Sequence, residues 1–185
     1  ITGNWVLGEI HDSEQVIVAQ LAIQLRITYI NNYIDVWESL LANMQIITPK
    51  NIEELDEVVV KLISNDSPLL QLLQTLHQNT YFEPIRSASP KLHEVSLLLA
   101  RHDAAGSSLY HIFSGLQDLH AYLQTILNAN DHQKAAFNAI RYHMLNNGTP
   151  DALTNLRLIA EKKPTPIRQW LNTLSNQAWH FLMQD

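Results

Sequence analysis

Between Ser13 and Met44 apolar side chains recur at steps of three or four: Val18, Leu21, Leu25, Tyr29, Tyr33, Trp37, Leu40 and Met44. That spacing places side chains on one face of an α-helix. No glycine or proline interrupts it. Asp12 or Ser13 can accept a hydrogen bond from a first-turn N–H, and Glu14 suits the positive end of the helix dipole. The pattern predicts one helix over residues 13–45, about 48 Å long at 1.5 Å per residue. Pro49 ends the segment.

The same signals predict the later helices. In "NIEEL", Asn51 and Glu54 form a capping-box-like pair, and Ile52, Leu55, Val59, Leu62 and Ile63 make an apolar face. In "NDSPLLQLL", Ser67 is an N-cap with Pro68 at N1, and the helix runs to Asn79. "FEPIRSASPKL" carries Pro84 and Pro90 and reads as a connecting segment, with "KLHEVSLLLARH" a short helix within it. Helical spacing returns at Tyr110, Phe113, Leu116, Leu119, Leu123 and Ile126. A further helix over residues 131–146 closes at "NNG", where Gly148 suits the left-handed position after a helix end. "TPDAL" and "TPIRQWL" give two more starts, with Thr149 and Thr165 as N-caps and Pro150 and Pro166 at N1. The last helix carries Ile167, Trp170, Leu171, Leu174, Ala178 and Leu182.

No strand pattern of comparable length competes. The expected fold is all-α, a multi-helix bundle built on one long N-terminal helix. It divides into an N-terminal part over residues 1–80, an irregular connecting segment over 81–106 and a C-terminal helical part over 107–185, which can also form one continuous domain. Scarcity of glycine, at 5 of 185 residues, agrees with helices over a turn-rich β fold.

Charge and cysteine content narrow the chemistry. The formal net charge is −6 with no basic block, which argues against nucleic acid as a partner. The absence of cysteine excludes disulfides, thiolate metal sites and cysteine nucleophiles. The longest nearly apolar run, Val16 to Ile23, contains Gln20 and is far too short to span a bilayer. Ile1 follows no methionine and no signal-peptide pattern precedes it, so the chain is expected to be a piece of a longer protein.

Nine histidines raise a metal site: His11, His77, His93, His102, His111, His120, His132, His143 and His180. None forms a His pair at i, i+4 or an HExxH helix, so no metal ligands are assigned. Asp118 and His120, two apart, point to different helix faces. Ser114 sits in a helical pattern without the GxSxG frame. No Gly-rich phosphate loop is present. Glu53–Glu54 and Asp56–Glu57 read as a solvated helix face. "NGT" at Asn147–Thr149 matches a glycosylation sequon, and a helix stop followed by a start explains it equally. No catalytic residue and no cofactor are assigned.

The aromatic residues remain. Buried Tyr and Trp need a polar partner for their O–H or N–H, which places them often at seams and interfaces. Tyr29, Tyr33, Trp37, Trp170 and Trp179 are therefore the candidate structural or interface anchors. Trp37→Ala is expected to cost roughly 3–5 kcal/mol if the ring is fully buried.

Four stretches in order, "WVLG" (Trp5–Gly8), "YINNYIDVWESLL" (Tyr29–Leu41), "SPLLQLLQTL" (Ser67–Leu76) and "PTPIRQWLNTLSNQAW" (Pro164–Trp179), resemble the periplasmic helical region of the IcmF/TssM proteins of bacterial secretion systems. The resemblance implies a large inner-membrane protein working with a DotU/TssL-type inner-membrane partner. It also implies self-assembly in the full-length protein and, in type VI systems, contact with the outer-membrane lipoprotein TssJ through a β-rich domain absent here. It implies a scaffold role in a type VI or Dot/Icm type IV complex. The nucleotide-binding motif of some members' cytoplasmic part has no counterpart in this chain. Two other readings stand beside it: a helical enzyme whose histidines assemble a metal site in three dimensions, and a soluble helical adaptor.

Overall fold

A computed structural model describes residues 12–99, 108–145 and 150–184, with side-chain environments from residue 15 onward. The described residues form nine α-helices and no strand. They are α1 (Asp12–Asn43), α2 (Ile52–Ile63), α3 (Pro68–Thr80), α4 (Ile85–Ala88), α5 (Pro90–Ser96), α6 (Ser108–Leu127), α7 (His132–Leu145), α8 (Ala152–Glu161) and α9 (Ile167–Leu182).

Local chemistry explains the starts. Asn51 Oδ1 accepts from the Glu54 N–H at 2.8 Å, and the Glu54 carboxylate accepts from the Lys50 N–H at 2.9 Å. The reciprocal bond thus falls one residue upstream of the standard capping box. Ser67 Oγ caps α3 through the Leu70 N–H, with Pro68 at its first position. Ser89 does the same for α5 through the Leu92 N–H, with Pro90 following. The expected connecting segment, 81–106, contains α5 where a short helix was expected from Lys91, starting one residue earlier at Pro90, and in addition the one-turn α4.

Two expected starts are corrected. Thr149 lies outside the described residues, and α8 begins at Ala152 with Asp151 as its cap, accepting from the Thr154 N–H at 2.8 Å. Thr165 does not cap α9: Pro166 occupies that position and no side chain bonds the first turn. The "NNG" stop and Gly148 also lie outside the described residues.

The core runs through both halves of the chain. α6 is its axis, packing against α2 on one side and α8 on another, while α8 also packs on α9 and α2 touches α9. Leu55, Val59, Leu73, Leu76, Leu116, Leu119, Leu123, Leu153, Leu156 and Leu174 are fully buried in one contiguous cluster with residues from Ile34 to Leu182. On α6 the buried line is Leu109, Ile112, Leu116, Leu119, Leu123 and Ile126. Tyr110, expected on that face, is exposed. The helices α3, α4 and α5 form a smaller layer that receives the lower half of α1.

Gly115 sets the approach of α6 and α8. A Cβ there would lie 2.7 Å from Ile159 Cδ1 and 3.2 Å from Leu156 Cδ1. Alanine needs only a shift of the flexible Ile159 tip. Valine cannot fit so easily, and Gly115→Val should cost roughly 1–3 kcal/mol in urea unfolding through overpacking.

Candidate functional site: an apolar helical arm

The lower half of α1 docks and the upper half does not. Ile30, Tyr33, Ile34, Trp37 and Leu41 pack on the core. Tyr33 Oη donates to the Asn79 carbonyl at the end of α3 at 2.9 Å. Glu38 accepts from Ser89 Oγ at 2.7 Å and from Lys91 Nζ at 3.1 Å, tying α1 to α5. The Ser89 hydrogen bond chiefly holds the Glu38 carboxyl below its ordinary pKa; slight burial opposes it and Lys91 adds to it. Above residue 29, by contrast, every side chain from Gln15 to Tyr29 is exposed.

That exposed arm is apolar on two faces. Val16, Ile23 and Ile27 extend the docked line Ile30, Ile34, Trp37 and Leu41 beyond the body. Val18, Leu21, Leu25 and Tyr29 form a second line on the other side, continued along the body by exposed Val36 and Leu40. Leu25 is 70% exposed and Tyr29 68%. Arg26 is the one charged residue from Gln15 to Ile34. A soluble surface helix normally carries one apolar stripe, turned to the core. An isolated segment of this length is also marginal in water; here it grows from a nucleus already fixed by the docked half.

The aromatic anchors separate accordingly. Tyr29 is not a core residue, and the reason is geometric. Four residues turn a helix about 40° beyond a full turn. A column of four-residue steps therefore spirals away from the core, so Trp37 packs while Tyr29 does not. The rings of Tyr29 and Tyr33 are 6.3 Å apart, and those of Tyr33 and Trp37 6.4 Å. Trp37 is half-buried, so Trp37→Ala should cost roughly 2 kcal/mol, below the range for full burial. Trp170 Nε1 donates to the Met44 carbonyl at 3.1 Å, latching the connector after α1 onto α9. Trp179 packs on the His143 ring at 4.6 Å between centroids.

Polar clusters sit elsewhere. Asp56 is only 7% exposed, so it is no part of a solvated face. Its carboxylate accepts from His120 Nδ1 at 2.6 Å and from Gln124 Nε2 at 2.7 Å, both on α6. A signal existed: Ile52, Leu55, Asp56 and Val59 share the apolar face of α2. His143 Nδ1 pairs with Asp151, fastening α7 to the start of α8. His77, Tyr81 and His93 form a ring stack, with 4.5 Å and 5.8 Å between successive centroids. Among the described residues no three His, Asp or Glu side chains gather as a metal site. Ser114 is an ordinary residue within α6, with no carboxylate–histidine pair bonded to it.

Burial alone would raise the Asp151 carboxyl, but the Thr154 N–H and His143 outweigh it and hold its pKa below the ordinary value. A carboxyl depressed in the fold contributes stability that is present above its unfolded pKa and lost as pH falls through the folded one. Glu38 acts with the same sign. The urea midpoint should therefore drop as pH goes below about 4. Asp151→Asn, which keeps a capping oxygen and loses the charge, should make that acid limb shallower.

These features define a class: an all-α bundle bearing a long helix whose free half is apolar and nearly uncharged. Residues 1–81 match the IcmF-related family, described as "Intracellular multiplication and human macrophage-killing". The match covers all of α1, α2 and α3, and supports an IcmF/TssM-family relationship and with it a secretion-associated protein. Neither a search of curated proteins nor a search of solved structures gave a match. No described helix is long and apolar enough to cross a membrane.

Proposed function

We propose that this chain is a non-catalytic scaffold segment of a bacterial type VI or Dot/Icm type IV secretion-system membrane complex, in the periplasmic portion of an inner-membrane protein. The observation that carries the reading is the coincidence of two things on α1. The family match includes the whole helix, and its free half is apolar on two faces. A scaffold needs a rigid element with one end anchored and the other available to partners. Here Tyr33, Glu38 and Trp37 anchor the lower half, and about 27 Å of helix, from Asp12 to Tyr29, extends from it. The partner we assign is another component of the membrane complex, a DotU/TssL-type inner-membrane protein first. A TssJ-type lipoprotein would be reached through a domain outside this chain, and copies of the full-length protein would assemble with one another.

The test is affinity recovery of the tagged full-length parent after crosslinking in its native membrane. Co-recovery of inner- and outer-membrane secretion components is the expected result, and the set recovered distinguishes type VI from type IV. A parent found in the soluble fraction with cytosolic partners alone overturns the reading and favours a soluble adaptor. The enzyme reading is addressed by elemental analysis of the purified chain: zinc or iron at one equivalent would favour it, and neither is expected.

A further inference from the structure

A second apolar feature lies away from the arm. It is a groove of about 370 Å³ where the connector after α1 meets α2, α3, α6 and α9. Its walls include Val58, Leu62, Leu72 and Trp170, and it reaches the fully buried core side chains Leu116 and Leu174. Its volume falls in the range of small-molecule sites, which in helical bundles lie between helices. One wall is the connector itself, where Ile47 is 79% exposed and the Trp170–Met44 hydrogen bond fastens the backbone.

The charge on this groove is one-sided. The chain holds 18 acidic against 12 basic residues, yet no carboxylate lines the groove. Lys61, in the last turn of α2, is its one charged lining residue, and it makes no ion pair among the described residues. The other polar side chain is that of Gln45. Nothing in the lining would recognise a hydrogen-bond-rich ligand or a cation. An apolar tail in the slot with an anionic head at the ammonium satisfies both the walls and the charge.

We propose that this groove binds a single-chain fatty acid, its alkyl chain between α2, α3 and α9 and its carboxylate on Lys61. The inference does not depend on the secretion reading, because it rests on the groove alone. It makes the connector one wall of the ligand site.

Isothermal titration and native mass spectrometry of the 185-residue chain test it, with laurate, dodecanol and dodecyltrimethylammonium below their micelle concentrations. One laurate should bind per chain. Dodecanol should bind about fivefold more weakly, the scale of one partly exposed ion pair, and the cation more weakly still. Lys61→Gln should bring laurate to the dodecanol level without changing dodecanol. Leu72→Trp and Val58→Phe, each checked for unchanged helical circular dichroism, should remove binding by filling the slot. Leu25→Lys on the arm should leave it intact. No laurate binding, a laurate affinity indifferent to Lys61→Gln, or a loss caused by Leu25→Lys overturns the proposal. So does co-sedimentation with phosphatidylglycerol vesicles in the absence of laurate binding, which would make the ligand a membrane surface.

Discussion

Replacing Leu25 and Tyr29 together with lysine should abolish recovery of the secretion components with the full-length parent, while the urea midpoint of the 185-residue chain moves by less than about 0.5 kcal/mol. Both side chains are about two-thirds exposed and make no core contact, so their loss leaves no cavity. In a complex the same positions would lie against another apolar surface. Two buried, unpaired ammonium groups there cost far more than lost contact area alone. The separation of the two readouts is the informative part. A variant that lost stability as well would show that the arm folds back on its own body. A variant that kept every partner would place the partner surface elsewhere, with exposed Phe137, Tyr142 and Met144 of α7 the next face to probe.

Leu119→Ala should produce the largest loss of stability, about 2–5 kcal/mol in urea unfolding with an unchanged m-value. Leu119 is fully buried on α6, the helix that packs against both α2 and α8. Truncation there opens a cavity in the helix that both layers pack on, and packed helices on either side limit collapse into the space. Total stabilities of domains are about 5–15 kcal/mol, so this single change removes a large share. The contrast is Tyr122→Phe. The Tyr122 hydroxyl is buried without a hydrogen-bond partner, and burial, with Asp151 nearby, pushes its pKa up to about 12. Removing an unsatisfied hydroxyl should leave stability unchanged or raise it by up to about 1 kcal/mol.

The elements with self-contained signals were legible in the sequence. Asn51, Ser67 and the four-residue periodicity of α1 act over three or four residues, so the chain spells them out locally. Ser89–Pro90 carries the same signal as Ser67–Pro68, and the short helix expected from Lys91 starts there; the one-turn α4, without a side-chain cap, has no such signal. Asp151 and Thr165 show the limit of local reading. At "TPD" two capping residues on either side of Pro150 compete, and the ion pair with His143, eight residues back, favours Asp151. At "TP" before α9 the proline takes the cap position itself.

What the sequence hid is what depends on distant residues. Asp56 meets His120 and Gln124 across 64 and 68 positions, and Glu38 meets Ser89 across 51. The stripe through Tyr29 and Trp37 was legible as a helix face, but not its division. Periodicity says that side chains share a face; where the body of the protein ends along that face is a tertiary fact. The apolar groove is hidden in the same way, since its walls come from four helices and a connector, each with an unremarkable apolar line of its own.

A photo-crosslinking amino acid placed at position 25 of this chain, within the full-length parent in its native membrane, would report what the free half of α1 touches. Adducts with an inner-membrane component of the secretion complex are expected, and none from the same probe at exposed Gln78 on α3. Adducts confined to cytosolic proteins, or equal labelling from both positions, would contradict the scaffold role.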